Sequence, residues 1–238
     1  MDFFYDFLFM IVIFISNTIQ TITGFAGTVL AMPLSIKLVG IDDARVILNL
    51  IALISCCIIA LKNFKRINKK ELLKIIVFML IGMFIGIKLL EIFPINYLLK
   101  VYGIIIILIA IKNLVIQNKS NMSKGIGIIV IIIAGIIHGM FMSGGALLVV
   151  YAAKVLRDKD EFRSTMSLIW VILNSILLFT QVQENIVSLR EIVITIIALI
   201  PLFIAILVGK KLYEKLDGRL FEKIVYGLLI ISGLLIIF

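Results

Sequence analysis

The sequence predicts an all-α polytopic membrane protein built from two inverted repeats, each a broken-helix hairpin followed by three transmembrane helices. Three observations predict it. Hydrophobic residues make up 63% of the 238 and charged residues 16%, with a mean hydropathy of +1.24, well outside the soluble globular range. Two segments, 7–36 and 125–153, carry no charge and are interrupted by glycine near their middles. The chain also resembles itself at an offset of 118 residues.

The N-terminus, MDFFYDFLFM, holds acids where a secretory signal would carry Lys or Arg, and no small-residue cleavage site follows, so it is expected to stay on the mature protein. The first uncharged segment would span about 45 Å as helix, against a hydrocarbon core of about 30 Å. That is long for one crossing and short for two. With the break expected at TGFAG (23–27), a hairpin over 7–38 that turns at membrane depth accommodates it. Pro33 is expected to kink the outgoing half.

Ordinary spans follow at about 43–61, 75–93 and 95–115, and this first unit covers 1–118. None shows the dyad alternation of an outer-membrane barrel. The second unit, 119–238, repeats the order with a hairpin over 125–153, broken at MSGG (142–145), and spans at about 161–181, 191–209 and 218–238. If 125–153 turns back, 18 of the 23 Lys and Arg residues fall on one side, which the positive-inside rule makes cytoplasmic, with both termini outside. A single crossing there would leave no orientation preferred.

At the offset of 118, Gln20 faces His138, Ala26 and Gly27 face Gly144 and Gly145, Asp43 faces Glu161, and Arg45 faces Arg163. Arg45, Asn49, Cys56 and Asn63 correspond to Arg163, Ser167, Asn174 and Gln181, a spacing that keeps each set on one helix stripe. An offset of 123 then aligns Gly86, Lys88 and Glu91 with Gly209, Lys211 and Glu214. A hairpin plus three crossings inverts the second unit relative to the first, the plan of secondary transporters.

Inverted repeats bring both hairpin tips toward the midplane, where irregular backbone is tolerated only in a protein interior or a cavity. Half-helices starting near Gly27 and Gly145 are expected to direct unpaired N–H groups and positive dipole ends at an anion. The candidate substrate-binding residues are Gln20, Thr21, Thr23, Gly24, Gly27, Thr28, His138, Gly139, Ser143, Gly144 and Gly145. Arg45 and Arg163 are read either as interfacial snorkelling residues or as guides for substrate. Asn49, Ser167, Asn174 and Gln181 are pore-facing candidates that would serve equally as interhelical hydrogen-bond partners. His138, the single histidine, is also the one candidate for carrying a proton.

The remaining chemistry is bounded by what is missing. The adjacent Cys56 and Cys57 suit neither a disulfide nor a zinc site, and His138 lacks metal-ligand companions, so no metal or cofactor is expected. The net charge of +9 is explained by loop Lys and Arg, which implies contact with anionic lipid around 62–74 and no nucleic acid. Nothing in the sequence specifies an oligomeric state. An anion channel could use the same tip chemistry. An intramembrane enzyme would need a nucleophile with a base, and the spans offer one histidine with no acid near mid-depth.

TITGFAGTVLAMPL followed by an acid and Arg45, and GIIHGMFMSGGALLVVY followed by EFRSTMSL, together resemble the TauE/SafE sulfite exporter family of membrane permeases, over essentially the whole chain. The resemblance implies movement of sulfite or a related organosulfur anion across a bacterial or archaeal cytoplasmic membrane. It places the family's glycine-rich segments at Gly24–Gly27 and Gly139–Gly145. The first segment is poorer in glycine than the family pattern, and Ala146 and Tyr151 stand where proline often occurs in the second.

Overall fold

The computed structural model describes residues 3–92, 94–115, 123–156 and 158–215, with isolated positions between 223 and 237. The span expected at 218–238 lies largely outside the described residues, as does the loop at 116–122. Among the described residues the secondary structure is helical throughout.

Helix α1 (Phe3–Thr23) ends at Gly24, whose φ of +81° lies in the left-handed region that glycine enters freely. After a two-residue break α2 (Ala26–Val39) folds back on it. Gly27 makes that return possible, since a Cβ there would sit 2.7 Å from the Gln20 Cβ and 3.0 Å from the Ser16 carbonyl oxygen. At about 21 Å by helix rise, α2 reaches only part of the way across a bilayer. Gly40, again with positive φ, turns the chain into α3 (Ile41–Lys62). A single 3₁₀ turn at Phe64–Arg66 leads to α4 (Lys69–Ile92), and α5 (Ile95–Val115) follows.

Helix α6 (Lys124–Phe141) is capped by the Ser123 hydroxyl and stops at Met142, which has a φ of 55°. The 11-residue α7 (Gly145–Val155) turns back along α6, as the closeness of Gly144 to Ala134 and His138 requires. Asp158 then caps α8 (Lys159–Gln183), its carboxylate accepting from the Asp160 and Glu161 amides at 3.0 and 2.9 Å. The last continuously described helix is α9 (Leu189–Lys215), whose first turn is tied down by Glu191 accepting from the Ser188 amide at 2.6 Å.

Among the described residues six helices, α1, α3, α4, α6, α8 and α9, are long and apolar enough to cross a membrane. Polarity is distributed as a lipid solvent demands: Ile192, Ile196, Ile200, Phe203 and Leu207 face outward along α9, while Asn49, Ser55, Ser167, Asn174 and Gln181 are buried. The protein is an integral membrane protein.

Packing holds the site together through two close helix contacts and one polar one. Between α4 and α6 the backbones touch: a Cβ at Gly82 would lie 2.0 Å from the Ile132 carbonyl oxygen, and one at Gly86 2.1 Å from that of Ile136. From the other side, a Cβ at Gly135 would meet the Met79 oxygen at 2.3 Å and one at Gly139 the Met83 oxygen at 2.2 Å. Two glycines four residues apart on each helix thus form one seam, the small-residue contact that membrane helices use when lipid removes the hydrophobic drive. Gly209 brings α9 against Thr18 and Thr21 of α1 in a similar way. Helices α3 and α8 run antiparallel, joined where the Asn49 amide donates to Gln181 Oε1 at 2.8 Å and to the Asn174 carbonyl at 3.2 Å.

The seam generates a stability prediction. Gly82→Ala or Gly139→Ala should cost roughly 1–3 kcal/mol each through overpacking against backbone. Gly125→Ala, where an added methyl meets nothing within 4 Å, should leave stability unchanged. Thermal unfolding in detergent micelles measures the difference, and equal behaviour of all three would refute the contact.

Candidate functional site

The first break satisfies its own backbone. Thr23 Oγ1 accepts from the amides of Phe25 and Ala26 at 3.3 and 3.1 Å while donating to the Ile19 carbonyl at 2.9 Å. Gln20 Oε1 accepts from the Gly27 amide at 2.8 Å, and its Nε2 donates to Cys56 Sγ at 3.1 Å. The expectation of unpaired N–H groups near Gly27 is therefore corrected: Thr23 and Gln20 occupy the amides from Phe25 to Gly27 because the hairpin folds α1 back over the start of α2.

The second break is tied at its carbonyls instead. Met142 accepts from the Thr28 hydroxyl at 2.9 Å, and Ser143 accepts from the Tyr102 hydroxyl at 2.9 Å. The Ser143 hydroxyl donates to the Phe141 carbonyl at 2.8 Å. The N-cap of α7 is Gly144, which supplies no side-chain cap, so the amides of the first turn of α7 keep their donor capacity. A Cβ at Gly145 would lie 3.0 Å from the Phe25 carbonyl oxygen, so the two breaks touch.

A cavity of about 10 Å³, room for roughly one water, lies where they meet. Gln20 from α1, Cys56 from α3, His138 from α6, and Trp170 and Asn174 from α8 supply its polar and polarizable lining. Phe25, Thr28, Met142 and Gly145 supply the wall formed by the breaks, and Ala52 completes the α3 side. His138 is 1% exposed and packs against Trp170 with ring centroids 5.1 Å apart and the rings tilted by 36°. Both imidazole nitrogens, the Trp170 indole N–H and Asn174 Oδ1 are buried without a hydrogen-bond partner among the described residues. In a packed membrane interior such groups are expensive, and their convergence on one cavity marks it as a place for a polar guest. No lining residue carries a formal charge in its ordinary ionisation state.

Of the residues singled out in the sequence, Gln20, Thr28, His138, Gly145 and Asn174 line this cavity. Thr23, Gly27, Ser143 and Gly144 build the breaks around it. Asn49 and Gln181 join α3 to α8, and the Ser167 hydroxyl is buried without a partner. Three lie elsewhere. Thr21 packs against Gly209 of α9, Gly24 against the backbone of Arg163, and Gly139 faces α4, because helical spacing turns it away from its neighbour His138. Arg45 lines a cleft of about 390 Å³ with Asp42, Glu91 and Glu184. The Arg163 guanidinium lies 4.3 Å from the Tyr213 ring centroid, and the Tyr213 hydroxyl is 2.7 Å from Asp160 Oδ1.

Sequence reasoning missed Trp170. It stands seven residues after Arg163 on the same stripe as Ser167 and Asn174, so the signal was present, hidden by counting indole as apolar. Tyr102, whose hydroxyl holds the second tip, gave no signal, since that contact joins α5 to a loop 41 residues away.

A cavity lined by unpartnered polar groups at two touching helix breaks, inside a bundle of apolar spans, is the setting of a membrane transporter's binding site. No curated protein and no solved structure matches this chain. The family model described as "Sulfite exporter TauE/SafE" matches residues 8–236, nearly the whole length. The chain belongs to the TauE/SafE sulfite exporter family of membrane transporters.

Proposed function

We propose that the protein is a secondary transporter for a small anion, sulfite or a related organosulfur anion, working by alternating access between two inverted repeats, 1–118 and 119–238. The observation that carries this reading is the make-up of the cavity. Gln20 and His138, Ala52 and Trp170, and Cys56 and Asn174 all line it, and each pair is related by the same offset of 118. A binding site on the axis between two copies is what alternating access requires.

Other equivalences support the repeats. The residues with positive φ at the two breaks, Gly24 and Met142, are 118 apart. Gly86 packs on Ile136, and Gly209, 123 residues on, packs on Thr18, the equivalent of Ile136. In each case the second crossing helix of one copy packs on the hairpin of the other. Asp43 pairs with Arg190 at 3.0 Å, and its equivalent Glu161 accepts from the Asn68 amide group at 2.7 Å, so each copy is latched to the helix start of the other at opposite ends of α3.

In this reading the indole N–H, the imidazole, the Asn174 amide and the first turn of α7 hold the anion. Arg45 and Arg163 each precede the cavity by seven residues, on antiparallel helices, and draw the anion in from opposite faces. His138 is the group that would couple a proton, and the basic loops favour a cytoplasmic Asn68 end.

Labelled sulfite in proteoliposomes should show saturable counterflow. Conductive flux that does not saturate would instead identify a channel, and absence of counterflow from folded protein would overturn the reading. Trp170→Phe keeps an aromatic ring beside His138 and removes one donor. It should raise the half-saturating concentration about tenfold, as expected for a charge-assisted hydrogen bond, without lowering thermal stability.

A further inference from the structure

We infer that the site selects the singly charged, protonated form of its substrate, bisulfite over the sulfite dianion. This inference rests on the transporter reading and deepens it. The first ground is charge. The cost of removing an ion from water rises with the square of its charge, and the cavity offers neutral dipoles alone to offset it. Arg45 and Arg163 are not among the lining residues, and their backbones stand about 10 Å along the helix axis from Ala52 and Trp170. Acids stand near each: Asp42 and Glu184 share the cleft that Arg45 lines, and Arg163 lies over the Tyr213 ring, whose hydroxyl donates to Asp160. The other ionisable groups around the cavity are His138 on α6, Cys56 on α3 and the Tyr102 hydroxyl on α5. Cys56 and Tyr102 are neutral in their ordinary forms, and His138 is the one group here that could charge toward the acid end of the pH range.

The second ground is the balance of donors and acceptors. Trp170 Nε1 and the first turn of α7 donate, but Asn174 Oδ1 is a buried acceptor with no partner, and a neutral imidazole always presents one acceptor nitrogen. A dianion has acceptors only and supplies no donor to Asn174 Oδ1. A monoanion bearing one O–H matches both kinds of group, and sites built for a hydroxyl reject ligands that lack it. Protonation of the substrate thereby does the work that a lysine in the pocket would otherwise do.

Sulfite counterflow measured at equal pH on both sides, from about pH 6 to about pH 8, tests this directly. The half-saturating total sulfite should rise toward tenfold per pH unit at the alkaline end and stay constant when expressed as bisulfite. Methanesulfonate, a permanent monoanion, should compete more strongly than sulfate. A half-saturation that is constant when expressed as the dianion, or sulfate competing as well as methanesulfonate, would overturn the inference. So would a pH slope that disappears in His138→Gln, since the titrating group would then belong to the protein. Counterflow absent with every anion at every pH would remove the transporter reading itself, and this inference with it.

Discussion

A hydrocarbon interior has no water to bind a peptide group, so every helix interruption at membrane depth must be met by protein. That constraint organises this molecule. The first break is closed by Thr23 and Gln20 from its own hairpin, and the carbonyls of the second are met by Thr28 and Tyr102 from elsewhere in the bundle. What is left over where the breaks meet is the start of α7, which has no side-chain cap, and the unpartnered groups of His138, Trp170 and Asn174 on α6 and α8. The candidate site is thus a local concentration of unmet polar groups, beside others dispersed over α1, α2, α3 and α8.

Holding such a remainder in place requires rigid neighbours. The α4–α6 seam places His138 at fixed depth, because contact through Gly82, Gly86, Gly135 and Gly139 leaves no slack for α6 to slide or rotate. Trp170 and Asn174 are positioned in turn by the α3–α8 pairing through Asn49 and Gln181. The two rings in contact, His138 and Trp170, therefore belong to different packed pairs, and in the proposed mechanism motion of one pair relative to the other would open or close the cavity between them.

Much of this was legible from residue patterns. Hydropathy identified a helical membrane protein, and the helix ends at Thr23 and Phe141 fall at the glycine-containing interruptions, since uncharged segments of that length demand a break somewhere. Individual orientations were less accessible. Gly139 adjoins His138 in sequence yet faces α4, and Thr21 follows Gln20 yet faces α9, because one residue is 100° of helix. The internal capping by Thr23 and Gln20 depends on how tightly the hairpin closes, which a linear pattern does not encode. Trp170 was hidden by its dual character, an apolar body with a single polar N–H.

The two latches across α3 and α8 differ in kind. Asp43–Arg190 is an ion pair with the arginine side chain about half exposed, whereas the Asn68 end uses amide and hydroxyl contacts with Glu161 and Thr165. Dissolved salt shields the first within a Debye length of about 8 Å at physiological strength and leaves short neutral-donor bonds nearly untouched. In the alternating-access reading proposed above, ionic strength on the Asp43 side would bias which end stays shut, a form of control that needs no second binding site.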